Sequence, residues 1–126
     1  MRVLVCGGRD YYNKILIKKT LDELHAKQPI TCIIHGGDER RKRGADFLAK
    51  HWAKAIASIP DEPYPADWGN EGRSAGPQRN AKMLREGKPD LVVAFPGGNG
   101  TADMMRKARA AGLTVIEVKD ESWIPK

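Results

Sequence analysis

Three apolar runs in this chain end in a glycine pair, and that recurrence limits the fold more than any other feature. Residues 2–6 run into Gly7-Gly8, residues 30–35 into Gly36-Gly37, and residues 91–95 into Pro96-Gly97-Gly98. Each run is short, rich in Val, Ile and Leu, and lacks a polar alternation, as expected of strands buried on both faces. Between the runs the period changes. Ile17, Leu21 and Leu24 recur at i, i+4 and i+7 within residues 13–27, with Lys14, Lys18, Lys19 and Glu23 on the other faces, which predicts an amphipathic helix stopped by Pro29. Residues 45–58 predict a second helix, with Leu48, Trp52, Ala55 and Ile59 along one face. Residues 59–65 hold three prolines and suit only a short strand at a sheet edge. Residues 67–77 form an irregular stretch, and Pro77 near a helix start predicts a third helix to about Glu86. A last helix over 101–111, with Met105 and Ala108 inward, is capped by Gly112 and followed by a strand over 113–118. The tail, 119–126, receives no assignment.

Strands alternating with helices require right-handed crossovers and a mainly parallel sheet covered on both faces. The fold class is therefore α/β: a single Rossmann-like three-layer sandwich with four or five strands, spanning residues 1–126 as one domain. A chain of 126 residues, 40% hydrophobic and 30% charged, has the composition of an ordinary globular domain rather than of a disordered segment. Its longest apolar runs are far short of the ~20 residues a bilayer demands, and no signal-peptide pattern opens it. Two cysteines, Cys6 and Cys32, make neither a disulfide framework nor a four-ligand zinc site, so a reducing cytoplasm is expected. His25, His35 and His51 lack metal-ligand spacing, and neither a metal nor a resident cofactor is expected.

Ligands of open α/β sheets bind at the carboxyl ends of the strands, where strand order reverses. Parallel strands bring Gly7, Gly8, Gly36, Gly37, Gly97 and Gly98 to one such edge, where a missing side chain lets backbone approach a ligand. The richest loop is Pro96, Gly97, Gly98, Asn99, Gly100 and Thr101, whose N–H groups and hydroxyl form a phosphate nest at a helix start. It matches neither the P-loop nor the dinucleotide fingerprint, since Asp103 stands where a third glycine belongs. Arg9, Arg79 and Asn80 fall at the same edge, and guanidinium forks suit phosphate. Tyr11, Tyr12 and Trp68 either stack on a base or cover the ends of the core. Twenty-two Lys and Arg against sixteen Asp and Glu leave +6, which favours anionic partners, and residues 38–43 concentrate charge in one loop.

Four ordered motifs carry a resemblance over nearly the whole chain: residues 1–10 through Gly7-Gly8-Arg9-Asp10; His35-Gly36-Gly37 with Arg43-Gly44-Ala45-Asp46; Ala75-Gly76-Pro77-Gln78-Arg79-Asn80; and 96–104. The chain resembles the YspA/YpsA-related branch of the SLOG superfamily. The resemblance implies a Rossmann-like domain that binds nucleotides or derivatives of the ADP-ribose type. Relatives include the lonely-guy phosphoribohydrolases, which split nucleoside 5′-monophosphates, and the DNA-processing protein DprA. The hydrolases use an arginine, at the position of Arg79, and a glutamate, at the position of Met104. A thioether neither moves a proton nor stabilises an oxocarbenium ion, and Asp103 beside it points elsewhere on a helix, turned by about 100°. Relatives usually bring the middle glycine pair close to the Arg-Gly-Ala-Asp stretch, whereas residues 38–42 intervene here.

Three functions follow. The first is a nucleotide sensor or sequestering module, with Arg9 and Arg79 on phosphate and Asp46 or Asp103 on ribose hydroxyls. The second is a nucleotide hydrolase with Arg79 and Asp103 as catalytic residues. The third is DprA-like nucleic-acid binding through Arg40–Arg43, placed last because aromatics are only 6% of the chain. Pairing through helices, as in relatives, implies a homo-oligomer, a homodimer in the simplest case.

Overall fold

The computed structural model describes residues 1–37 and 42–123. Five strands, β1 (Arg2–Cys6), β2 (Cys32–His35), β3 (Asp61–Pro63), β4 (Leu91–Ala94) and β5 (Val115–Glu117), form one sheet in the order β3-β2-β1-β4-β5. Every pairing is parallel, and Leu4 of β1 stands between Ile34 of β2 and Val92 of β4. Strand order reverses at β1, so the crevice between β1 and β4 is the switch point that the sequence argument requires.

Strand alternation divides the core into two layers. Val3 and Val5 face one side with Ile17, Leu21, Ala49 and Trp52, from α1 (Lys14–Lys27) and from α2 (Ala45–His51) with its continuation. Leu4 and Cys6 face the other with Met83, Met104 and Ala108, from α4 (Ala75–Gly87) and α5 (Asn99–Ala110). The result is the three-layer α/β sandwich expected. Among the described residues no helix is long and apolar enough to cross a membrane.

Several local expectations shift. Helix α2 continues as a π-helical stretch, Trp52–Ala57, ending at Ser58 in the left-handed region. The buried face runs through Ala45, Ala49, Trp52 and Ala53, at i, i+4, i+7 and i+8, so Ala53 is buried and Ala55, expected inward, is exposed. In α5 it is Met104, fully buried, that fills the core, while Met105 packs at its margin. Pro77 lies in the first turn of α4 rather than at its start, where its missing N–H costs no helical bond. Within 67–77, Asp67 caps a short helix, α3 (Trp68–Glu71), by accepting from Asn70 N–H at 3.2 Å.

The tail also has a place. Asp120 accepts from Tyr11 Oη at 2.7 Å and from Asn13 Nδ2 at 3.0 Å, tying the chain after β5 to the start of α1. These donors and Ser122 hold the Asp120 carboxyl down at about 2. Trp123 then packs 6.3 Å from Tyr11, ring to ring.

Candidate functional site

The loops after β1, β2 and β4 open into one cleft of about 1090 Å³. Gly7, Gly8, Arg9, Gly36, Gly37, Arg79 and Asn80 line it, as do Gly97, Gly98, Asn99, Gly100 and Thr101. Pro96 is not among the lining residues. Its carbonyl accepts from Gly8 N–H at 2.8 Å and so stitches the first loop to the last. Among the described residues after β5, Trp123 of the tail reaches the cleft.

The glycines are of two kinds. A Cβ on Gly7 would lie 2.6 Å from Ala45 Cβ, one on Gly44 2.5 Å from Arg9 O, and one on Gly97 2.8 Å from Gly8 N. Gly44 (φ +96°) and Gly37 (φ +67°) also occupy the left-handed region. These residues are glycine because the loops are packed against one another. Around Gly98 and Gly100 a Cβ would meet nothing within 4 Å, and neither has a positive φ. Gly98 is a reasonable N-cap. Gly100, inside the first turn of α5, is the costly one, since glycine in a helix is less favourable than alanine by about 1 kcal/mol.

Asn80, 4% exposed, knots the floor of the cleft. Its Nδ2 donates to Gly100 O and to Asp103 Oδ2, both at 3.1 Å, and its Oδ1 accepts from Arg79 Nε at 3.1 Å. Arg79 Nη1 donates to Gly36 O at 3.0 Å, crossing from α4 to the loop after β2. A Cβ on Gly36 would lie 2.5 Å from both Arg79 Nη1 and Asp46 Oδ2, so guanidinium and carboxylate converge over that glycine. The sequence placed Asn80 against a ligand; the structure gives its polar atoms to the protein, where they orient Arg79 and Asp103 and anchor the glycine loop.

Asp103 lines the cleft but is committed to neighbours. Arg106 reaches Oδ1 at 2.7 Å and Lys107 reaches Oδ2 at 2.7 Å. Burial pushes this carboxyl up, yet the bonds from Lys107 and Asn80 and the adjacent positive charges outweigh it and hold the group below the usual carboxylate range. It is an ionised acceptor with occupied oxygens, poorly suited to give up a proton. Met104, where the hydrolases carry glutamate, points into the core.

His35 does not line the cleft. Its Nδ1 accepts from Gly37 N–H at 3.1 Å, which leaves Nε2 to donate to Asp61 Oδ2 at 2.7 Å. Burial pushes Asp61 up, but His35 and Lys54 more than offset it, and the carboxyl lies low. The pair sets the Gly36-Gly37 turn. Cys6 and Cys32 are free buried thiols, and burial pushes Cys6 up to about 12, far from a nucleophile's range.

Of the aromatics proposed as base platforms, Tyr11 is fully buried and stacks on Phe95, whereas Tyr12 and Trp68 line the cleft. The charged segment 38–43 is described only at its end, residues 38–41 lying outside the described residues. There Arg43 pairs with Asp10 at 3.1 Å. Among the described residues the cleft is not basic: Arg9, Arg73 and Arg79 face Asp10, Asp46, Asp67 and Asp103. The +6 charge therefore lies mostly elsewhere. Sequence reasoning missed Trp123, Asp67 and Arg73. The Asp67-x-x-Asn70 cap was a readable signal, but nothing in the sequence brings Trp123 back to Gly8.

A five-stranded parallel sheet with a glycine-lined cleft at its switch point defines a Rossmann-like α/β protein. The family described as YspA, cpYpsA-related SLOG matches residues 1–70, which hold the first two glycine loops, Asp46 and Trp68. The Gene 61 protein of Mycobacterium phage D29 is 37% identical over 127 aligned positions, covering 95% of this chain and 98% of that protein. The chain belongs to the YspA, cpYpsA-related SLOG family.

Proposed function

We propose that this protein binds a nucleotide or nucleotide-derived small molecule, a nucleoside phosphate or an ADP-ribose-type compound, as a sensor or sequestering module that leaves its ligand intact. Gly100 carries the reading. Neither packing nor backbone conformation accounts for a glycine there, whereas close approach of a phosphate to the first N–H groups of α5 does. Thr101, 6% exposed, adds a hydroxyl at the same turn, and Arg79 is held on the cleft lining by Asn80 and Gly36 O. Membership in the SLOG family supports a nucleotide-related role. The occupied oxygens of Asp103 and the buried Met104 favour binding over hydrolysis.

The test is incubation of purified protein with nucleoside monophosphates, ADP-ribose, NAD and cyclic dinucleotides, followed by mass spectrometry of bound and free fractions. One intact compound enriched with the protein is the expected result. Release of free base or ribose phosphate would overturn the non-catalytic reading, and binding to none of the panel would overturn the nucleotide reading itself.

A further inference from the structure

Resting on that reading, we infer that the Trp68 indole is the base-stacking platform of the cleft and that the Arg9 guanidinium over it gives way to the base. Trp68 stands at the start of α3, fixed by the Asp67 cap, and an edge of its six-membered ring reaches α4 where that helix has no side chain. A Cβ on Gly76 would lie 3.2 Å from Trp68 Cη2. From Gly76 to Asn80 is one turn of α4, ~6 Å, and Asn80 is bonded to Gly100 O. The ring and the glycine loop thus meet the same face of α4 one helical turn apart.

The other aromatics are engaged. Trp123 packs on Tyr11 and against Gly8, and Tyr12 is bonded through its hydroxyl to Ser122 O at 3.1 Å. Trp68 is 37% exposed, less than Tyr12 at 62%, but what stands over its ring is the Arg9 guanidinium, 5.1 Å from the centroid. A cation held over an indole by the ring quadrupole marks a reachable ring face, onto which a flat heterocycle can stack in its place. Arg9, displaced, becomes a free fork on the loop after β1, facing the phosphate side of the cleft. The ligand class is then a nucleotide recognised at both ends, not a sugar phosphate alone.

The test compares AMP with ribose 5-phosphate by calorimetric titration on wild type, Trp68→Leu and Gly76→Ala, with thermal unfolding confirming that each variant is folded. In wild type AMP is expected to bind at least tenfold more tightly than ribose 5-phosphate. Trp68→Leu should bring that ratio close to one while ribose 5-phosphate affinity stays within twofold, a pattern general damage does not produce because it weakens both. Gly76→Ala, which shifts the ring without removing it, should give an intermediate ratio. Acrylamide quenching should rise in Arg9→Ala, because the ring loses its cover. A ratio that survives Trp68→Leu, or equal binding of the two probes by wild type, overturns the platform but leaves phosphate binding standing. Binding of neither probe, nor of anything in the wider panel, overturns the nucleotide reading as well.

Discussion

Gly97 and Gly100 sit three residues apart in one loop and are glycine for opposite reasons. At Gly97 the loops after β1 and β4 meet so closely that a side chain would strike Gly8 N at 2.8 Å; at Gly100 a side chain would meet nothing. The first glycine records how the protein packs on itself. The second borders open space, which the proposed function gives to a ligand phosphate. Gly72 and Gly112 also face open space, but their φ values of +58° and +80° explain them by backbone alone. A glycine-rich loop is therefore not one feature, and counting its glycines conceals which of them bear on binding.

The sharpest way to break this contrast is substitution at the crowded positions. Gly44→Ala combines a left-handed φ with a clash against Arg9 O, and should cost about 2–5 kcal/mol of stability by denaturant unfolding. Gly97→Ala lacks the φ penalty and should cost about 1–3 kcal/mol. Were it neutral, the loops are looser than their contacts imply and the contrast fails. Asn80→Ala, which removes one bond each from Gly100 O, Asp103 and Arg79, should cost about 1–3 kcal/mol and weaken ligand binding as well. Gly100→Ala should do the reverse of Gly97→Ala. It should raise stability by up to about 1 kcal/mol through helix propensity while lowering nucleotide affinity roughly tenfold. A gain in stability with unchanged affinity would remove the ligand from the explanation of Gly100.

The smallest effect is a pH dependence. The Asp103 carboxyl lies below its unfolded value of ~3.9, so its stabilisation is fully present above that value and is lost as pH falls through the lower folded one. The stability gap between wild type and Asp103→Asn should accordingly be constant near neutrality and close below about pH 4. A gap that opened on acidification would mean that Asp103 is protonated in the folded state.

The parallel sheet and its two covering layers were legible because they rest on local periodicity. Uninterrupted apolar runs between amphipathic segments leave few alternatives. The misreadings arose where a local rule was overridden. The face through Leu48, Trp52 and Ala55 is one of two that the helix pattern allows, and packing buries the other, through Ala45, Ala49 and Ala53. Met105 was read inward where one helical step puts Met104 instead. The cleft-lining glycines and Arg79 were visible as residues at strand ends, but the bonds of Asn80, Arg106 and Lys107 were not, because they join elements far apart in the chain.

Sequence alone determined the order of strands and helices, the edge of the sheet at which the loops collect, and the family motifs on those loops. Each depends on neighbours within a few residues or on the handedness of a single crossover. Tertiary structure decided which glycines are crowded, that Asp103 is already held by Arg106, Lys107 and Asn80, and that Trp68 lies over Gly76 beneath Arg9. Those facts are distances between segments, and only the packed chain fixes them.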